Sequence, residues 1–528
     1  MSAMFRSLAS ADYRIWFVGA LVSNIGAWMQ ATAQNWVVLT ELTANDALAV
    51  GITMALQFAP QLLLVPITGL IADRFERRRI LMVTQTCLML LGLALGLLLI
   101  FGHAQLWHLY GFALALGIVN AVDTPARQTF VADLVSGSDM SNAVALNSAS
   151  FNAARMIGPA VAGLLIVLVG SGWVFVINAA TFLAVLVSLW LLRDMKVRRM
   201  PRVSSRGQFV AGFRYVAGRP DLVIVFVIVF IIGAFGMNFP IFSSTMAVEF
   251  GRGAGEYGLL NSIIAIGSLT GALLAARRER ARMRVIILAS GFFGVAALLA
   301  ALMPTFWSFA ASTILIGFGA VTILTTANGY VQTTTEPDLR GRVMALYMAI
   351  LVGGTPIGAP IVGAVAAQWG PRWALGVAAI AAGVAALIGL GWLVFARGMH
   401  LARHPQVRWR PVLQFADAPT AAIAVIPTRP VHVVPAQPRP VPEDFSEQVA
   451  LTSPIALPRH PLADREASTH DATHDPTHHV PPHHEPLPPE AAHHTPSQHE
   501  PSRHVAAPRP RSSHEPRPSN AGCRPAAE

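Results

Sequence analysis

The chain is short of charge, of cysteine and of acid inside its apolar runs. Asp, Glu, Lys and Arg make up 12% of its 528 residues, about half the share usual in soluble domains, while 54% are hydrophobic. Beyond residue 400 lie 12 of the 38 basic residues, 13 of the 28 acidic residues and 25 of the 37 prolines, so the first 400 residues are more apolar than the average. No soluble core buries so many long apolar runs, and about 20 apolar residues are what one helix needs to cross hydrocarbon. A soluble enzyme and a collagen-like chain are excluded, and no catalytic residues are expected. Two cysteines, Cys87 in an apolar run and Cys523 near the end, make neither a disulfide framework nor a metal site. No G-x-x-x-x-G-K-[ST] loop occurs, which argues against a fused ATPase. The first apolar segment has a polar start and many spans after it, so no cleavable signal peptide is expected.

What is present is a series of apolar runs bounded by charge, Gly or Pro, at about 14–40, 47–72, 80–102, 106–126, 143–169, 172–192, 222–247, 257–276, 284–303, 306–331, 342–369 and 373–396. In lipid these must be helices, because open strands would leave backbone groups unpaired. The net charge of +10 would suit nucleic acid if it formed one patch. It comes instead as short clusters between runs. With both ends cytoplasmic, Arg6, Arg14, Arg74, Arg77, Arg78, Arg79, Arg127, the cluster from Arg193 to Arg219, Arg277, Arg278, Arg280, Arg282, Arg284, Arg340, Arg342 and Arg397 fall inside, and only Arg252 and Arg372 outside. That asymmetry fixes the topology and the count. We therefore expect an all-α membrane protein with twelve transmembrane helices, the lipid bilayer as its surroundings and no nucleic-acid partner.

The longest internal connection, 193–221, divides the spans six and six. It separates an N-terminal bundle (1–192) from a C-terminal bundle (222–396), and its eight basic residues suit anionic head groups. Phe209, Phe213 and Val216 follow helical spacing, consistent with a short interfacial helix or with a solvated linker. At an offset of 200, Val131, Ala145, Leu146, Gly158, Gly163, Gly170 and Trp173 meet Val331, Ala345, Leu346, Gly358, Gly363, Gly370 and Trp373, as in a duplicated half. Two matching halves are what a rocking transporter needs around a central site. From 397 to 528 the chain is rich in Pro and His and is expected to be disordered. Twelve of the 17 histidines lie between His460 and His514. They are either low-complexity sequence or a loose metal-binding tract, and no fixed ligand set is assigned.

The most specific local pattern is Gly69-Leu70-Ile71-Ala72-Asp73-Arg74-Phe75-Glu76-Arg77-Arg78-Arg79. It resembles the G-x-x-x-D-R-x-G-R-R loop of the major facilitator superfamily, with Glu76 where that family has Gly. The second-half counterpart, Gly271 to Arg278, has Ala275 in place of the acid. Asn120-Ala121-Val122-Asp123-Thr124-Pro125-Ala126-Arg127-Gln128, Gly26-Ala27-Trp28-Met29-Gln30 and Leu339-Arg340-Gly341-Arg342-Val343 resemble the enterobactin-exporter branch, also called transmembrane secretion effectors. The resemblance covers residues 5–396. It implies the major facilitator fold of two pseudo-symmetric six-helix bundles and outward transport of siderophore-like or drug-like molecules by alternating access. It also implies proton antiport, a monomer, the bacterial cytoplasmic membrane and no cofactor. Gating is then expected at Gly69, Asp73, Arg74, Arg77, Arg78, Asp123, Arg127, Gly158, Pro159, Arg340 and Arg342. In the family an acid at the position of Asp123 pairs with a loop arginine, here Arg77; by helix spacing alone Asp123 and Arg127 can pair with each other.

A binding cavity is expected from amides and aromatics. Asn24, Trp28 and Asn35 share a face of span one, Gln57 and Gln61 lie a turn apart in span two, and Asn238 and Asn328 stand in spans seven and ten. Arg155 is the one basic residue well inside a span, placed either to attract an anionic substrate group or to tie helices through carbonyls. No Asp or Glu lies deep in a span, so proton coupling is carried by the resemblance alone. A lipid flippase and a metal-responsive sensor using the His-rich tail are the two alternatives to a small-molecule exporter.

Overall fold

The computed structural model describes residues 3–64, 68, 71, 74–135, 137–192, 208–278, 280–395, 399–403 and 411–415. Six long helices come first: α1 (Ala11–Trp36), α2 (Ala47–Leu63), α3 (Arg77–Ile100), α4 (Leu106–Leu134), α5 (Met140–Val169) and α6 (Ser171–Leu191). A ten-residue helix α7 (Gln208–Ala217) lies in the connection. Then follow α8 (Pro220–Ile231), α9 (Phe239–Glu249), α10 (Ala254–Ala276), α11 (Met283–Leu302), α12 (Phe306–Thr334), α13 (Pro337–Trp369) and α14 (Pro371–Phe395). Local chemistry sets many of the ends. The Ser10 hydroxyl accepts from the Tyr13 amide at the start of α1, and Asp46 accepts from the Leu48 amide at 2.8 Å at the start of α2. Pro220 and Pro337 open α8 and α13, where no backbone donor is needed.

Among the described residues, ten helices are long and apolar enough to cross a membrane, with α8, a π-helical turn (Ile232–Gly236) and α9 counted as one span. The helices α1 and α2 fall outside that set. The first is diluted by Asn24, Gln30, Gln34 and Asn35, and the second is described as only 17 residues. Several helices outrun the apolar runs that mark them: α4 and α12 continue to Leu134 and Thr334, past 126 and 331, and α5 and α13 begin at Met140 and Pro337, before 143 and 342. The added turns carry polar residues such as Gln128, Thr129, Gln332 and Thr333. Backbone hydrogen bonding carries the helix on where hydropathy has ended.

In the first half α1 packs on α5 and α6, α3 on α4 and α6, and α2 on α4; in the second α12 packs on α10 and α11, and α14 on α11. Two seams join the halves, α2 with α13 and α5 with α10. The repeat at an offset of 200 has structural counterparts. Gly170 and Gly370 end α5 and α13 with φ of 89° and 97°, a region that side chains disfavour. Gly163 faces Ala254 across one seam and Gly363 faces Ala47 across the other.

The linker helix expected from Phe209, Phe213 and Val216 is α7, with Phe213 exposed, Val216 buried and Gly212 against Arg342 of α13. Of the expected disordered tail, the described residues are two strands, β1 (Met399–Arg403) and β2 (Pro411–Phe415), paired antiparallel with Met399 opposite Phe415. The histidines from His460 to His514 lie outside the described residues.

Candidate functional site

A cavity of about 330 Å³ sits where the halves meet. From the first half it is lined by Trp28, Thr32, Asn35, Gln57, Phe151, Arg155 and Pro159, and from the second by Phe239, Tyr257, Asn261, Leu351 and Thr355. Arg155 and Thr355 are equivalent under the repeat, so the duplicated position carries a cation in one half and a hydroxyl in the other. The Arg155 guanidinium lies over the Trp28 ring at 5.7 Å, and Phe151 meets that ring edge-on at the same separation. Gly158 makes the placement possible, because a side chain there would meet the Trp28 Cβ at 2.6 Å. Trp36 stacks on Tyr257 across the halves at 5.5 Å.

A second cavity, about 440 Å³, lies within the first half and shares Ala31, Gln57 and Phe151 with the central one. Its walls include Asn24, Gln30, Asn120, Asp123, Arg127 and Asn147. Asp123 is buried; it accepts from the Thr84 hydroxyl at 2.6 Å, the Gln85 amide at 2.7 Å and Arg127 Nε at 3.1 Å. Among the described residues, the Arg127 Nη1 atom and the Gln85 Oε1 atom are buried without a partner.

The expected pairing of Asp123 with Arg77 is corrected. Arg77 binds Asp133 at 2.8 Å, and Asp123 binds Arg127 one turn away. The reason is depth. Asp123 faces Thr84 and Gln85, seven and eight residues into α3 from Arg77, or about 11 Å along the axis, beyond what a side chain spans. Asp123 is also deeper than its sequence neighbourhood implies, since α4 runs on to Leu134, about 16 Å farther.

Of the other expected gating residues, Gly69 and Asp73 lie outside the described residues. Arg74 and Arg340 are exposed and Arg342 is half-buried. Arg78 donates to the Leu189 carbonyl at 2.7 Å near the end of α6, where a cation suits the unpaired carbonyls. Gly158 and Pro159 sit at the α1 contact and the cavity wall. Of the expected binding residues, Trp28, Asn35, Gln57 and Arg155 meet in the central cavity, and Asn24 lines the second. Gln61, Asn238 and Asn328 line neither of these two: the Asn238 amide donates to the Ala234 carbonyl at 2.6 Å, and Asn328 accepts from Gln332 at 2.6 Å. Sequence reasoning missed Phe151, Tyr257, Asn261 and Thr355, none of which stands in a motif. It also missed Asp221, which Arg219 grips through two bonds of 2.8 and 2.9 Å while Tyr330 donates to it at 3.0 Å. That cluster ties the start of α8 to α12 and, through Tyr215, to α7.

The inter-half contacts are unevenly placed. Gly51 meets the Ala359 carbonyl, Gly363 meets Ala47, Gly163 meets Ala254 and Gly258 meets the Pro159 carbonyl, each with room for no side chain. The Ser262 hydroxyl donates to the Met156 carbonyl at 2.7 Å. All these residues fall in the part of their helices away from the arginine-rich ends. Leu62 against Gly353, at the midpoint of α13, is the nearest of these contacts to the basic end. Among the described residues, the contacts between the halves thus gather toward one end of the shared cavity, as backbone contact between small residues, a packing mode suited to lipid.

Two pseudo-repeated helical bundles around a shared cavity define a membrane carrier of the major facilitator fold. The chain belongs to the transmembrane secretion effector family, whose pattern matches residues 2–418. It is 28% identical over 345 residues to the staphyloferrin A transporter of Staphylococcus aureus, covering 63% of this chain and 85% of that one. With the enterobactin exporter EntS of Salmonella typhimurium it shares 24% over 369 residues, 68% and 86% of the two chains. A bacterial homologue of the human lysosomal transporter Spinster, solved inward-facing and unoccupied, superimposes with a TM-score of 0.59 at 16% identity, covering 72% of this chain and 98% of that one. A bacterial homologue of the iron transporter ferroportin gives 0.56 at 16% identity over 72% and 98%. The chain is thus a multi-pass membrane transporter of small molecules and not an enzyme, and these relatives favour neither a flippase nor a sensor.

Proposed function

We propose that this protein is a secondary exporter that moves siderophore-like or drug-like organic molecules out across the bacterial cytoplasmic membrane by alternating access. Twelve spans, counting α1 and α2 with the ten apolar ones, support a reading with both termini and the arginine-rich ends in the cytoplasm under the positive-inside rule. The observation that carries the reading is the one-sided seal. Among the described residues, close contacts join the halves from the middle of α13 to the end away from the arginines, which supports a cavity reached from the cytoplasmic side, where cargo for export is loaded. The two relatives named as a siderophore transporter and a siderophore exporter support the class of cargo.

In the opposite state the seams open and the cytoplasmic ends close. We assign pairing between elements in that state to Asp73, Arg74 and Arg340, while Arg77 and Arg78 hold α3 to α4 and α6 within the first bundle. Among the described residues, the wall of the central cavity offers no carboxylate for the proton exchange that the family resemblance implies. The test is efflux from cells carrying the protein, using a panel of iron chelators and cationic dyes with and without a proton gradient. Protein-dependent extrusion of a chelator supports the proposal, and protein-dependent uptake of the same compounds overturns it.

A further inference from the structure

We propose that the cargo is an organic anion seated at Arg155 and that its export is electrogenic, driven by the membrane potential. This rests on the export reading above and adds the charge of the cargo and the source of energy. Among the described residues, no carboxylate pairs with Arg155, and the lining of the central cavity contains no Asp or Glu. The partner the guanidinium does have is the face of Trp28. A ring face orients a cation and stabilises it partly, but leaves its charge uncompensated. A lone cation at membrane depth is costly and marks a substrate path by default. The aromatic edge of Phe151 beside the same ring adds a flat apolar wall next to the charge. Together they form a subsite for an anionic group attached to a planar or apolar body.

The ion pair on the wall of the second cavity, Asp123 with Arg127, is internally neutral. Among the described residues, the walls of the two cavities therefore carry one net positive charge, at Arg155. A univalent anion bound there makes the loaded site neutral, so the outward step is indifferent to voltage. The empty site returns inward carrying the Arg155 charge, and a negative cell interior draws it back. Over one cycle one negative charge leaves the cell for each univalent cargo, with no proton required. At equilibrium a potential of 100 mV holds about a fifty-fold concentration ratio per charge.

The full-length protein is reconstituted into liposomes with 1-naphthalenesulfonate, which stays anionic at every working pH. A naphthylmethyl-trimethylammonium ion serves as the cationic counterpart and an uncharged iron chelator as the neutral one. Valinomycin with a potassium gradient sets the voltage, and the pH on the two sides is set independently. The sulfonate is expected to accumulate toward the positive side by about fifty-fold at 100 mV, at equal pH, and not to follow a pH gradient at zero voltage. Arg155→Lys is expected to retain this transport and Arg155→Gln to lower its initial rate at least tenfold, with both variants monodisperse on gel filtration. Accumulation that follows pH at zero voltage, or an Arg155→Gln rate equal to the parent, overturns the inference. Carriage of the cation or the neutral chelator without the sulfonate overturns it alone and leaves the export reading standing. Carriage of none of the three overturns both.

Discussion

Replacing Gly258 by Ala should tilt the carrier toward its other face. A Cβ built on Gly258 comes within 2.3 Å of the Pro159 carbonyl oxygen and 3.0 Å of the Gly163 Cα, against 3.4 Å or more for ordinary contact. Both neighbours are backbone, so α5 and α10 must part by about 1 Å, and that seam exists only while this end is sealed. Overpacking of this kind costs about 1–3 kcal/mol. The sealed state alone bears it, so the ratio of sealed to open carriers falls about 5- to 150-fold. The readout is a single cysteine at Thr355, in a Cys87→Ser, Cys523→Ser background, since Thr355 lines the cavity. A membrane-impermeant maleimide is applied from the side away from the arginines. Gly258→Ala should raise the labelling rate from that side and lower it from the basic side. Gly111→Ala, whose added carbon meets nothing within 4 Å, should change neither rate. Equal labelling in both variants, or faster labelling from the basic side with Gly258→Ala, would refute the one-sided seal.

Three further outcomes are expected. Asp123→Asn takes the carboxylate from the half-buried Arg127 guanidinium and should destabilise the first bundle by about 1–3 kcal/mol, seen as a lower unfolding temperature in detergent; an unchanged temperature would contradict the pairing. Asp221→Asn should weaken the hold of Arg219 and Tyr330 by about 1–3 kcal/mol and speed hydrogen exchange in α7, and unaltered exchange would mean that the cluster does not anchor the linker. Asp73→Asn should slow transport with normal membrane insertion, and full-rate transport would remove that residue from the gate.

Much of the architecture was legible from hydropathy and arginine placement, because lipid forces apolar runs to be helices. What hydropathy could not give was where the helices stop. The polar turns Gln128–Leu134 and Gln332–Thr334 continue helices past the apolar edge, and that extension is why Asp123 lies so far below the end of α4. The duplicated glycines were visible as an offset of 200, and their roles follow from packing: Gly170 and Gly370 break helices, and Gly163 and Gly363 close seams. Trp28, Asn35, Gln57 and Arg155 were found because polar or charged groups on apolar helices stand out. Phe151, Tyr257 and Thr355 were not, because aromatic and small residues in such helices look like packing until the neighbouring helix is placed. Asp133 and Asp221 were passed over because they lie near helix ends, where a carboxylate reads as an interfacial charge and its partner stands on another element.

The central claim is that the two halves pivot so that one end opens as the other closes. Two spin-label pairs on the full-length protein in liposomes test it directly, one between the basic ends of α2 and α13 and one between their opposite ends. On shifting conditions from resting to transporting, the account predicts that the distance at the basic end shortens while that at the opposite end lengthens, in the same fraction of molecules. Two distances that change in the same sense, or not at all while cargo is carried, would contradict it.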